Sequence, residues 1–258
     1  MKLIRELYDY REMICSLVKR DLRGRYKGSV LGFLWTFLNP LFQLIVYTVA
    51  FSVIMRMPYE KYYLFLFTAL VPWIFFNSSV YGGAACISAQ KDMVNKIYFP
   101  REVLPISHVI CQLVNLLFSF VVVFLALIVT HHGVDLKAIA FLPVAIIIEV
   151  LIALGFTLVS SSVTVYFRDL EYVLSILIMA WQFLSPVMYG EDMVPDRFKM
   201  VFKLNPMTSV LSMYREILYY KQIPSFEQIA YSAVFGLASF TIGLIVFENL
   251  KKHFSEEM

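Results

Sequence analysis

The chain has 258 residues, 60% of them hydrophobic and 16% charged, with a mean hydropathy of +0.72 and a formal net charge of +3. A soluble domain carries about 25% charged residues, so this composition excludes a water-soluble fold and implies spans of about 20 residues immersed in lipid. The small net charge says little alone, and the distribution of charge along the chain is more telling; no nucleic-acid partner is expected.

The first unit, residues 1–32, carries eight Lys/Arg and four acids. Apolar Leu3, Leu7, Tyr10, Ile14, Leu17 and Val18 recur near helical spacing. That spacing predicts an amphipathic helix on the membrane surface, with its basic groups facing lipid phosphates. A short basic start followed by an apolar stretch is missing, so no cleavable signal peptide is expected and the first span acts as its own insertion signal.

Six apolar stretches follow: 31–55, 62–83, 104–130, 139–167, 172–189 and 229–247. The spans can cross a core of roughly 30 Å at about 1.5 Å per residue. A break is expected at Asn39-Pro40 in the first, and another at Ser185-Pro186, where the short fifth one ends. The expected fold is an all-α integral membrane protein of six transmembrane helices. It forms one permease-like domain over 1–258, divided into an interface helix (1–30), the spans (31–249) and a tail (250–258).

Lys and Arg counts orient the chain. With the N-terminus inside, the inner segments hold fourteen basic residues and the outer ones eight. The dense first segment favours this orientation, and an even number of spans then places both termini in the cytoplasm.

Two connections are too long for simple turns. The inner one, 84–103, alternates Lys91, Asp92, Asn95, Lys96, Arg101 and Glu102 with apolar residues, as a short surface helix does. The outer one, 190–228, has two apolar runs divided by Asn205-Pro206. Runs of 10–14 apolar residues suit re-entrant helices better than a crossing.

Candidate chemistry is sparse. No phosphate-cradling Gly-x4-Gly-Lys-Ser/Thr motif occurs, so no ATPase site is expected in this chain. The histidines form no triad or metal cluster, and Cys15, Cys86 and Cys111 are widely spaced; no catalytic residue, metal or bound cofactor is expected. Glu149 is the one acid well inside a span, either protonated at a helix interface or functional. Gln112 and Asn115, three apart, are expected to bond across helices, and Ser160, Ser161 and Ser162 permit close helix contact. Aromatic residues make up 16% of the chain. Many suit interfacial belts; others suit an aromatic path whose rings stack on sugars.

These residues resemble a known family. The run Arg20-Asp21-Leu22-Arg23-Gly24-Arg25-Tyr26-Lys27-Gly28-Ser29-Val30-Leu31-Gly32-Phe33-Leu34-Trp35, followed by Leu38-Asn39-Pro40-Leu41, resembles the start of the first span in type-2 ABC exporter permeases, above all those exporting O-antigen, teichoic acid and other surface polysaccharides. Asn95-Lys96-Ile97-Tyr98-Phe99-Pro100-Arg101-Glu102-Val103-Leu104-Pro105 looks like that family's inner coupling segment. Phe167-Arg168-Asp169-Leu170 resembles its second inner loop, and Asn205-Pro206 with Arg215 its outer re-entrant region.

The resemblance implies a homodimer working with two copies of a separate ATPase subunit, which binds ATP and magnesium. It implies ATPase coupling through Lys91, Asn95, Lys96, Phe99, Pro100, Arg101 and Glu102. The first and fifth spans then line a channel at the dimer interface, with Trp35, Phe42, Tyr47, Phe51, Trp181, Phe183 and Tyr189 as its aromatic residues. The implied substrate is a glycan on a polyprenyl diphosphate, in a bacterial cytoplasmic membrane. Arg20, Arg23, Arg25 and Lys27 suit its diphosphate headgroup, since Arg binds phosphate bidentately; ordinary anchoring to anionic lipid is equally open. The alternatives are an exporter of a drug or small lipid, an ion-coupled secondary transporter and a membrane-embedded transferase. The last two lack the intramembrane charges, inverted repeat or polar cluster they need.

Overall fold

The computed structural model describes residues 2–26 and 31–254, with only the backbone described for 2–5, 25, 26 and 33. Every regular element among them is helical. The N-terminal unit forms two helices, α1 (Lys2–Asp9) and α2 (Arg11–Tyr26). Leu17 and Val18 of α2 are buried while Arg11, Lys19 and Arg20 are exposed, which is the amphipathic division its spacing predicts.

A tight turn at Gly32–Leu34 leads into α3 (Trp35–Thr48), which continues as a π-helical turn over Val49–Ile54. The expected break at Asn39-Pro40 does not occur, because Pro40 lies inside α3 near its start. There the missing N–H removes only the helical bond to the Thr36 carbonyl, within the first turn, and the helix runs on.

The chain then forms α4 (Tyr62–Ala84), the short α5 (Lys91–Lys96), α6 (Val103–Val129), the one-turn α7 (Leu136–Ile139) and α8 (Leu142–Tyr166). After them come α9 (Leu170–Phe183), α10 (Lys199–Leu204), α11 (Pro206–Arg215), a π-helical extension over Glu216–Tyr220, and α12 (Phe226–Leu250).

Among the described residues, five stretches are long and apolar enough to cross a membrane: Trp35–Ile54, Tyr62–Ala84, Val103–Val129, Leu136–Tyr166 and Phe226–His253. The expected fifth span is shorter than its apolar run. Helix α9 has 14 residues, or about 21 Å, against roughly 30 Å of hydrocarbon. It gives way to a turn before Pro186, whose ring cannot continue the hydrogen-bond ladder.

Helix α4 is the centre of the bundle. Leu64 to Leu70 are all buried, and α3, α6, α8, α9 and α11 pack around it. Its sequence is apolar on every side, as a surrounded helix requires. One end of the bundle gathers α2, α5, the start of α6 and the ends of α8 and α12, so both termini of the described chain lie there; it is the terminal end. The other, distal end gathers the connections after α3, α6 and α9.

Glycines line the seam between α8 and α12 and let these two helices approach closely. A Cβ added at Gly155 would strike the Ser239 carbonyl, and one at Gly243 would sit 2.5 Å from the Gly155 oxygen. Small residues permit this approach where lipid removes any hydrophobic drive between helices. Gly155→Ala is expected to cost about 1–3 kcal/mol through overpacking, read as a lower apparent melting temperature in detergent.

Hydroxyl groups tie α8 to α4: Thr157 Oγ1 donates to the Ser79 carbonyl at 3.0 Å and Ser160 Oγ to that of Val80 at 3.2 Å. Along α6, Gln112 Nε2 lies 3.3 Å from His108 Nε2, and Asn115 Nδ2 donates to Gln112 Oε1 at 3.2 Å. Their spacing of three residues favours this, since such positions are neighbours on one helix. The link to α4 is made by His108, whose Nε2 lies 3.1 Å from the Ser78 carbonyl.

Candidate functional site

The polar features gather at the two ends of the bundle, and exposed apolar residues lie along α3 and α9 between them. At the terminal end, the segment after α12 folds back onto the start of α6. Arg101 donates to the Lys251 carbonyl, and Lys251 forms an ion pair with Glu102 and another, at 2.8 Å, with Glu248. Tyr166 OH donates to the Leu250 carbonyl at 2.7 Å. Phe254 is buried beside Phe247 and under the Arg101 guanidinium. The result is a clasp joining α6, α8 and the C-terminal segment.

Glu102 is 0% exposed, and burial pushes its carboxyl above the ordinary range against the pull of Lys251. Of the residues expected to couple to an ATPase, Glu102 and Phe99 are therefore turned into the protein, while Arg101 and Pro100 are partly covered. Lys91, Asn95 and Lys96 are exposed on α5, and Tyr98 is 95% exposed. Tyr98 borders a groove of about 760 Å³ that runs from Glu6 and Tyr10 to Lys252.

At the distal end, the chain after α9 dips into the bundle and returns. The Asn205 side chain caps α11 by accepting from Met207 N at 3.0 Å, and it also accepts from Trp181 Nε1 at 2.9 Å. The Trp181 ring packs edge-on against Phe76 and Phe156, near the middle of α4 and α8. At the other end of the π-helical extension, Tyr219 OH donates to the Glu60 carbonyl. Helix α11 and its extension thus climb from mid-height to the distal end.

Two buried side chains hold this element. Tyr214 OH donates to Glu149 Oε2 at 2.6 Å, so the interior acid is a hydrogen-bond acceptor at a helix interface. Arg215, 4% exposed, donates to the carbonyls of Val187 at 2.7 Å, Tyr189 at 3.0 Å and Phe65 at 3.4 Å. Its guanidinium also lies 3.8 Å from the centre of the Phe65 ring, on which Tyr59 stacks at 4.0 Å. Tyr59 OH donates to Asp192 at 2.6 Å; burial and that carboxylate raise its pKa. Sequence reasoning noticed Arg215 and Glu149 but not their partners, since Phe65, Val187 and Tyr214 carry no motif.

The aromatic residues expected along a channel differ in exposure. Phe42 on α3 is 52% exposed and Phe183 on α9 is 57% exposed. Ile45 and Val46 on α3, Val49 in its π-helical continuation, and Ile176 and Leu177 on α9 are exposed as well. Trp35, Tyr47, Phe51, Trp181 and Tyr189 are partly buried; Phe51 stacks on Tyr62 and Trp181 belongs to the interior cluster described above. Of the basic residues expected at a lipid headgroup, Arg20 and Arg23 are exposed near the end of α2. Lys27 and the side chain of Arg25 lie outside the described residues.

Apolar helices of spanning length, flanked by polar clasps at their two ends, define an integral membrane protein. The chain belongs to the ABC-2 type transporter family, whose model matches residues 12–219. It is 36% identical over 260 residues to the O-antigen export system permease protein RfbA of Myxococcus xanthus, with 100% of both chains covered. It is 31% identical to the protein of the same name from Klebsiella pneumoniae, over 95% of this chain and 94% of that one. The polysialic acid transport protein KpsM of Escherichia coli is 29% identical over 91% of this chain and 92% of its own.

Proposed function

We propose that this chain is the transmembrane subunit of an ATP-driven exporter that carries a polyprenyl-diphosphate-linked polysaccharide across a bacterial cytoplasmic membrane. The end-to-end likeness to a permease named for O-antigen export carries this reading. Two copies of the chain face one another through the uncovered surfaces of α3 and α9, and the glycan passes between them. Exposed Phe42 and Phe183 support this, because rings facing a partner copy can stack on sugar while lipid needs no aromatic path.

The chain carries no phosphate loop of its own, so ATP and magnesium belong to a separate ATPase subunit, present in two copies. That subunit docks at the cytoplasmic, terminal end on α1, α2 and exposed Lys91, Asn95, Lys96 and Tyr98. Arg20 and Arg23, with Arg25 and Lys27 following in sequence, receive the diphosphate headgroup where α2 leads into α3. The α10–α11 unit is re-entrant and gates the outer side.

The test is co-purification of this chain with a candidate ATPase subunit, combined with deletion of this chain's gene. Deletion should abolish surface polysaccharide, and lipid-linked glycan should accumulate inside. An isolated chain that transports unaided, or a deletion strain with a normal surface glycan, would refute the reading.

A further inference from the structure

The distal end contains a cavity of about 500 Å³ beside Arg215, within the roughly 300–1,000 Å³ range of small-ligand sites. Its wall carries the carboxylates of Glu191, Asp192 and Glu216 as well as the Arg215 guanidinium. Among the described residues, none of the ion pairs joins Arg215 to a carboxylate. Opposite charges therefore share one cavity and stand apart across it.

The Gln228 amide holds Glu216, while Glu191, Asp192 and Arg215 are held in place and left partly open. Ser212 Oγ donates to one oxygen of Glu191, and Tyr59 OH to one oxygen of Asp192. The second oxygen of each accepts nothing among the described residues. A guanidinium has five N–H groups, and Arg215 donates three hydrogen bonds to carbonyls, which leaves two without a protein acceptor. The Phe65 ring is covered on both faces, but Tyr220 on the same wall keeps an exposed ring.

A sugar ring matches this set. Its hydroxyls donate to the open carboxylate oxygens and accept from the guanidinium, and its C–H face lies on Tyr220. Three carboxylates against one guanidinium also repel an acidic sugar. We infer that this cavity is an exit-side binding site for a sugar residue without acidic groups, neutral or amine-bearing, of the exported glycan. The inference rests on the export reading and narrows it: the cavity disfavours an acidic polymer.

The test uses the full chain in nanodiscs and saturation-transfer NMR. The probes are maltotetraose, mannotetraose and chitotetraose, with a sialic acid tetramer as the acidic arm. At least one non-acidic tetrasaccharide should bind and the sialic acid tetramer should not. The double variant Glu191→Gln/Asp192→Asn should weaken that binding at least tenfold. Tyr220→Ala, a change to a half-exposed ring that leaves folding intact, should do the same with an unchanged apparent melting temperature.

Equal binding of the acidic tetramer, undiminished binding by both variants, or no binding by any probe would overturn the assignment. Gene deletion separates the two claims. If surface polysaccharide survives deletion, the export reading fails. If it is lost on deletion but the NMR contrast is absent, only the cavity assignment fails.

Discussion

Replacing Lys251 by methionine is expected to destabilise the permease and to weaken the dependence of ATP hydrolysis on it. Lys251 is the cation facing Glu102, which is 0% exposed, and it also holds Glu248. Breaking one side of a fully buried pair costs about 3–5 kcal/mol; because Lys251 keeps some solvent contact, about 2 kcal/mol is expected here. The carboxyl, already raised by burial, will take up a proton, and the C-terminal segment loses its hold on the start of α6.

The double variant Glu102→Gln/Lys251→Met removes both charges and should recover most of the melting temperature. Coupling should not recover with it if the clasp transmits force from α5 to α12. The readouts are the apparent melting temperature of the purified chain and ATPase stimulation by its partner subunit. Normal coupling in both variants would show that the clasp is packing alone. This sharpens the expectation for Arg101 and Glu102: substitution there acts through the chain's own tail, because both side chains bind it.

The second large effect is expected at Arg215. Arg215→Ala leaves the carbonyls of Val187 and Tyr189 without their donor, leaves that of Phe65 to the Thr68 hydroxyl at 3.0 Å, and uncovers one face of Phe65. Hydrogen bonds to a charged group contribute about 1.5–3 kcal/mol each. With the 3.4 Å bond discounted, a loss of about 3 kcal/mol or more is expected.

Arg215→Lys should rescue little, because one ammonium cannot span three diverging carbonyls and also cover a ring. Export should fall more than tenfold, and protease should cleave residues 190–225 in membranes far faster than in the parent. A lysine variant that exports normally would show that charge alone, without the planar fork, holds this element.

What was legible before any coordinates follows from what each signal measures. The spans at 62–83 and 104–130 were read to within one residue at each end, because continuous apolar runs bounded by charge have few other readings. The division of residues 190–228 at Asn205-Pro206 was likewise legible, since an Asn before a Pro both caps and starts a helix. The first span was misread at Pro40 and the fifth at its length. At Pro40, proline alone does not reveal whether the surrounding turns can absorb its missing N–H, whereas the break expected at Ser185-Pro186 does end the fifth helix, at Phe183.

Composition, charge bias and the motif from Arg20 to Trp35 together sufficed for the class of the molecule, its helical content and its family. Those properties are summed along the chain, and no fold need be known to sum them. The pairing of Glu102 with Lys251, of Glu149 with Tyr214 and of Arg215 with three carbonyls depended on tertiary structure. Each joins residues 26 to 150 positions apart on different elements, and rotating a helix by a single residue, about 100°, would part them. Periodicity reports which face of a helix is apolar, but which polar group meets which is settled only when helices pack in register.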